Sequence, residues 1–405
     1  MPSNDKNTVV LQKKPWVLIC LSLVIIGLGA FIVGLMGRHP ERAWQAYLIN
    51  FLLWSSIAQG GLLFSVVMHT VKARWSGPLS NLAESFTAFF PISFGLFLIL
   101  YLGRNDLFPW LHQDLHGKEV WLNIPFLFAR DSVGLLILYS LGFLYLYHAF
   151  WLKLDRSISS GRIRTFLYKQ WDQHIPDAQT CSRRMTVFGI LYILAFALIL
   201  SLIGFDLVMS MDPHWYSTLF GAYTFVKAFY VGLGVLIILA SALHLLPEID
   251  FRLKPSNFHD IGKLFFAFCL VWADFFYVQL VVIWYGNIPE ETAYVIERTM
   301  TPPWNSLAWF IFIICFILPF FILLNKKIKT KPQFMSILCT VVIMGIWLEH
   351  LLLIGPALNP HGSALPLGLM DGLIFLGFSG LMALAVTAFL NLFPELLRVT
   401  DGEVT

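Results

Sequence analysis

Residues 216–246 read YSTLFGAYTFVKAFYVGLGVLIILASALHLL, with one charged side chain, Lys227, among apolar and aromatic residues. A hydrocarbon core about 30 Å thick needs about 20 such residues in a helix, so this stretch predicts a membrane span. Its glycines and unbroken apolar character suit a helical bundle rather than the alternating pattern of a membrane barrel. Working outward, the same criterion predicts ten spans: 16–36, 45–71, 85–103, 126–153, 185–209, 216–246, 261–286, 304–325, 334–355 and 367–393. Composition agrees, since 58% of the 405 residues are hydrophobic and only 13% charged, where a soluble domain carries about 25% charge. A soluble enzyme, a disordered regulator and a nucleic-acid binder are excluded. The expected fold is one all-α integral membrane domain with no separate soluble domain.

Lys13 and Lys14 precede the first span, but its apolar run is too long for a signal segment and no small-residue cleavage site follows, so it reads as a retained helix. Cys20, Cys181, Cys269, Cys315 and Cys339 lie far apart with no C-x-x-C pair and read as reduced packing residues. Of the 27 Lys and Arg, 20 fall on the side of the N-terminus, five opposite, and two, Arg130 and Lys227, inside spans. The positive-inside rule then puts both termini in the cytoplasm, and the basic cluster at 326–331 is a topology signal. The connections 104–125, 153–184 and 287–303 are too short for extra domains, so any large soluble apparatus must come from other chains.

The chain also repeats itself. Trp44 opens span 2 and is followed by Gly60-Gly61; Trp215 opens span 6 and is followed by Gly232 and Gly234. Residues 82–89, LAESFTAF, match 261–268, IGKLFFAF, and Tyr101-Leu-Gly103 answers Tyr285-Gly286. Four spans separate each pair, so the copies share one orientation. Two parallel four-helix bundles follow, spans 2–5 and 6–9, with spans 1 and 10 peripheral.

An ionisable side chain in the bilayer core costs several kcal/mol unless it is paired, so each one calls for a partner or a function. Lys227 and Asp274 are placed near mid-membrane by helical rise. Tyr223, Lys227, Tyr230, Gly234 and Ser241 form one stripe along span 6, and Lys263, Asp274 and Tyr285 one along span 7. Arg130, Asp131, Asp206, Glu349, His350 and Asp371 lie in the outer third; His69, His148, His244 and Glu84 lie at inner ends. Pro91 and Pro319 interrupt spans 3 and 8. Protonatable groups at several depths are what proton transfer requires. The candidate path residues are Asp131, Asp206, Tyr223, Lys227, Tyr230, His244, Asp274, Glu349, His350, Asp371 and His148, in two half-paths meeting near Lys227 and Asp274. The structural alternative is a single Lys227–Asp274 ion pair with Arg130, Asp131 and Asp371 at the interface. No helix carries two intramembrane histidines, so neither haem nor a metal is expected on this chain.

Residues 42–50, RAWQAYLIN, followed by Gly60-Gly61 and by Trp75-x-x-Pro-Leu-x-x-Leu-Ala-Glu84, resemble the NrfD-like (PsrC-like) family of quinone-interacting membrane subunits. Residues 118–123, KEVWLN, before Phe126, Phe128 and Arg130 bring the likeness nearest to the ActF branch, found in alternative complex III; the longer segments and W-D-x-x-A motif of the ActC branch are missing. The resemblance implies a subunit without a redox centre in a bacterial inner-membrane complex that oxidises menaquinol or another quinol. It also implies the partners: an ActC-like second NrfD-family subunit, an iron–sulfur protein, multihaem and monohaem cytochrome c subunits, small membrane subunits, lipids, and a periplasmic carrier or attached oxygen reductase. Haem c and iron–sulfur clusters would belong to those partners, and this chain's part would be proton translocation and assembly. Two other readings stand beside it. One is a catalytic subunit binding quinol near Asp131, Asp206 and His350; the other is a secondary transporter, disfavoured by the parallel repeat and the unbroken span 6.

Overall fold

The computed structural model describes residues 14–115, 117–154, 161–175, 177–359 and 364–398. Among these there is no strand, and ten helices are long and apolar enough to cross a membrane. They are Pro15–Leu35, Pro40–Thr70, Arg74–His112, Ile124–Lys153, Ala178–Met211, Leu219–Leu245, Pro255–Gly286, Trp304–Leu324, Pro332–Leu358 and Leu369–Leu392, spans 1 to 10. The chain is an all-α, multi-pass membrane protein. Most span limits fall near the expected residues, but span 3 starts eleven residues earlier, at Arg74, and ends nine later, at His112, while spans 5 and 7 start seven and six residues earlier, at Ala178 and Pro255. The start of span 1 and the end of span 10 lie on one face, the terminal face; the other is the opposite face.

Local sequence accounts for the helix limits. Pro40, Pro125, Pro255 and Pro332 stand in first turns, where a missing N–H costs nothing. Asn123 and Asp177 cap spans 4 and 5, accepting the N–H of Phe126 at 2.9 Å and of Thr180 at 2.7 Å. Span 7 ends at Asn287, whose φ of 45° turns the chain left-handed. The interruptions fall at the two prolines. Span 3 tightens to a 3-10 turn over Ser85–Phe89 just before Pro91. Span 8 widens to a π turn over Ile313–Ile317 before Pro319. Pro319 lacks the N–H that would have met the Cys315 carbonyl four residues back. That carbonyl instead accepts the Tyr230 hydroxyl at 3.3 Å and the Cys269 thiol at 3.5 Å.

Span 2 packs on spans 3 and 5, and span 4 on spans 3 and 5, which closes one four-helix bundle. Span 6 packs on spans 7 and 9, and span 8 on spans 7 and 9, which closes the second. The two meet where span 6 lies against spans 2 and 5 and span 9 lies against span 2, while spans 1 and 10 pack on each other and on span 2. Lipid offers little hydrophobic drive between helices, so association depends on close backbone approach and hydrogen bonds. Glycine provides it at the two tightest crossings. A Cβ at Gly60 would collide with the Ala228 backbone, and one at Gly232 with the Gly60 backbone; Gly27 and Gly377 meet in the same way between spans 1 and 10. The five cysteines are buried and unbridged.

The connection between spans 4 and 5 carries the helix Arg162–His174, and this helix is tied to the end of span 10. Arg164 donates to both oxygens of Glu395, at 2.6 and 2.7 Å, and to the Leu392 carbonyl at 2.9 Å. Both side chains are buried. Removing one partner strands the other charge, so Arg164→Ala should lower the unfolding free energy by about 3–5 kcal/mol. The double variant with Glu395→Ala should recover much of that, as a double-mutant cycle by denaturant unfolding in detergent would measure.

Candidate functional site

The stripe expected on span 6 faces the protein interior along its length: Tyr223, Lys227, Tyr230, Gly234 and Ser241 are all buried. Span 9 meets it with Glu349. The Tyr223 hydroxyl donates to Glu349 Oε1, Lys227 Nζ lies 3.4 Å from the same oxygen, and the Lys227 ammonium sits 4.9 Å from the centre of the Tyr223 ring. Glu349 Oε2 has no hydrogen-bond partner among the described residues. His350, also buried, does not touch Glu349, because adjacent helical residues point about 100° apart. Its Nδ1–H donates to the Ile346 carbonyl at 2.8 Å, which leaves Nε2 as the acceptor of the neutral ring. His350 and Lys227 line a cavity of about 20 Å³ with Ser55, Ser56 and Thr224. That is space for one water with polar partners.

The pairing expected between Lys227 and Asp274 is not formed. Asp274 is exposed on the outer side of span 7, as are Lys263 and Tyr285, so the predicted stripe on that helix exists but faces away from the bundle. Lys263 pairs with Asp260 at 2.7 Å. The counter-charge of Lys227 comes instead from span 9, the other neighbour of span 6 in the same bundle.

Toward the opposite face, Arg130 clamps Asp206 with two hydrogen bonds of 2.6 and 2.7 Å and stacks 3.9 Å from the Trp121 ring, whose Nε1 donates to Asp206 at 3.0 Å. Asp131 lies beside Asp206, fully buried, with neither oxygen hydrogen-bonded among the described residues. Asp131 and Asp206 are therefore buried within the bundle. Leu135, one turn after Asp131, and Ile203, one turn before Asp206, line the cavity at Lys227. Of the two neighbouring carboxyl groups, only Asp206 is held by the guanidinium. Arg130→Ala, which strands Asp206, should cost about 3–5 kcal/mol, while Asp131→Asn should leave thermal stability in detergent near that of the parent chain.

Toward the terminal face runs a second set of buried polar groups. Tyr192 donates to Gln59 Oε1 at 2.8 Å and Tyr139 to Ser93 at 2.9 Å, with Ser55 and Gln59 close to the Tyr139 hydroxyl. Further down, Glu84 accepts from Ser65 at 2.9 Å and pairs with Lys153 at 2.5 Å, and Ser65 and the Tyr145 hydroxyl are 3.1 Å apart. Gln59 and Ser65 are about 9 Å apart along span 2, the widest step in the series. Ser55, Gln59, Tyr139 and Tyr192 are not among the residues expected from the sequence. The available signal was the run of neutral polar residues in span 2, a helix buried along nearly its whole length.

The remaining candidates have local roles. Asp371 accepts the Gly368 N–H at 2.8 Å and pairs with Arg42 at 3.2 Å; His244 accepts the Leu253 N–H at 3.1 Å; His148 donates to the Leu144 carbonyl at 2.8 Å. His69 lies 3.1 Å from Thr186. Comparison of the sequence with family models and with curated proteins gives no match.

Proposed function

We propose that this chain is an NrfD-like membrane subunit of a quinol-oxidising respiratory complex of the alternative complex III type, and that it moves protons through the Tyr223–Glu349–Lys227 site. The observation that carries the proton reading is the position of this buried ionisable cluster. It lies where the two bundles join, beside a water-sized cavity, with polar sets continuing toward both faces. Ionisable residues inside a membrane bundle that face one another and a cavity mark ion or proton pathways. Glu349 accepts and releases the proton. When it is protonated it loosens its hold on Lys227, whose ammonium then turns toward the cavity shared with Ser55, Thr224 and His350. Asp131 and Asp206 continue the path on one side, and Gln59, Tyr139, Tyr192, Ser65 and Glu84 on the other.

The respiratory assignment is supported by the quoted motifs, the ten spans and the two parallel bundles. It carries with it a bacterial inner membrane, cytoplasmic termini, a quinol substrate for the whole complex, and haem c and iron–sulfur clusters in partner subunits. Purifying the tagged chain from its native membrane in mild detergent tests it. Co-purification of an iron–sulfur protein and c-type cytochromes, with a haem c difference spectrum reduced by quinol, is the expected result. A lone, spectrally silent chain would overturn the respiratory reading.

A further inference from the structure

The helix Arg162–His174 forms a groove of about 490 Å³ with the end of span 4 and the start of span 5, on the terminal face. That volume is in the range of small-ligand sites. Ile163 and Phe166, both more than half exposed, share this short helix with exposed Arg162 and Lys169, the mixture found in helices that lie along the boundary between membrane and water. Arg184 immediately precedes the apolar run of span 5, so its guanidinium stands at the level of lipid head groups. Phe188 and Leu144 line the groove one helical turn deeper than Arg184 and His148, toward the hydrocarbon.

The polar lining is selective in kind. Arg184 donates to the His174 carbonyl at 2.9 Å and lies within Coulombic range of His148 and Tyr147. Asp177, the carboxylate within its range, is occupied in accepting the N–H and hydroxyl of Thr180, and no carboxylate among the described residues lines the groove. His148 and His174 each hold Nδ1–H on the carbonyl four residues back, at 2.8 and 2.9 Å, so each neutral ring presents Nε2 as an acceptor. Neither Nε2 has a hydrogen-bond partner among the described residues. One cation beside two acceptors fits an anion that itself carries hydrogen-bond donors. A bare phosphate satisfies Arg184 alone, and an ammonium head group finds no carboxylate to hold its charge beside Arg184.

We propose that this groove binds a phospholipid with a phosphoglycerol head group, its phosphate accepting from Arg184, its hydroxyls donating to His148 and His174, and an acyl chain lying along Leu144 and Phe188. Basic pockets between spans near a membrane surface take anionic lipids in this way. The lipid then gives a second anchor to the helix that Arg164 ties to the end of span 10. This assignment depends neither on the respiratory reading nor on proton transfer.

The test is native mass spectrometry of the delipidated full chain in detergent, titrated with lipids of matched acyl chains. The first phosphatidylglycerol should bind at least about fivefold more tightly than phosphatidylethanolamine or phosphatidylmethanol, an anionic lipid without head-group hydroxyls, which is the scale of one hydrogen bond. Arg184→Gln should weaken phosphatidylglycerol binding about tenfold or more, as loss of a hydrogen bond to a charged group does. His174→Phe, at an exposed position, should narrow the preference over phosphatidylmethanol. Leu144→Trp fills the apolar end and leaves Arg184 in place, so it should weaken binding without disturbing the bond from Arg184 to the helix. Equal binding of the three lipids by the parent chain, or unchanged affinity in Arg184→Gln and Leu144→Trp, would overturn the proposal. Free glycerol phosphate binding as tightly as the lipid would overturn it too, by assigning the groove to a soluble phosphate ester. So would crosslinking of a photoreactive residue at position 166 to another protein in native membranes, since a partner chain would then occupy the groove.

Discussion

Glu349→Gln should abolish proton movement through this chain in a protein that still folds, though with lower stability because the buried Lys227 loses its counter-charge. The amide keeps the shape of the carboxyl group and an oxygen to accept the Tyr223 hydrogen bond, but it neither takes nor gives a proton and offers Lys227 no counter-charge. Loss of a positioned acid–base group slows proton transfer by about 100-fold or more. In proteoliposomes holding the purified complex, the proton-to-electron ratio read with a pH-sensitive dye should fall, while quinol oxidation measured with an uncoupler present should persist. An unchanged ratio would remove the cluster from the path. Asp274→Asn serves as the contrast, because Asp274 is outside the bundle and its replacement should leave the ratio unaltered.

The second large effect is steric. Gly60→Val should prevent the two bundles from joining, because its Cβ would meet the backbone of Ala228 and Phe229, which has no rotamer by which to move aside. The overpacking cost should reach at least about 3 kcal/mol, the upper part of the usual range. It falls where spans 2 and 6 cross, one residue from Lys227, so the site and the fold should fail together. Gly61 next door is an internal control. A Cβ there meets the ring of Phe86, a side chain able to shift, so Gly61→Ala should be milder. Size-exclusion profiles in mild detergent should separate the two: aggregated or absent protein for Gly60→Val, a monodisperse peak for Gly61→Ala. A monodisperse, equally heat-stable Gly60→Val chain would show that the crossing is looser than these contacts require.

Much of this architecture was legible in the chain. Hydropathy located ten spans because a helix in hydrocarbon must satisfy its backbone internally and present apolar side chains all round, and both demands are written within about 20 consecutive residues. Pro91 and Pro319 marked the two irregular turns for an equally local reason. Helical periodicity placed Tyr223, Lys227 and Tyr230 on one stripe, and Lys263, Asp274 and Tyr285 on another, correctly in both cases. It did not say which stripe faced inward. Apolar residues surround every span, so the contrast between a wet and a dry face that orients a helix in a soluble protein is missing here.

The partner of Lys227 was therefore beyond reach of the sequence. Asp274 lay at a suitable depth on the next helix, yet Glu349, 122 residues away, is the group that meets the lysine. Neutral residues such as Gln59 and Tyr192 acquire meaning only when spans 2 and 5 bring them to 2.8 Å. What the sequence alone determined is the number of spans, their approximate limits, the repeat and the polar stripe on each helix, because these depend on interactions between near neighbours in the chain. Which stripes meet, which carboxyl group answers the lysine and which one is left facing the bilayer were decided by the tertiary structure. Those outcomes depend on the rotation of each helix about its axis, which is set by glycine contacts such as Gly60 with Gly232 between segments distant in the chain.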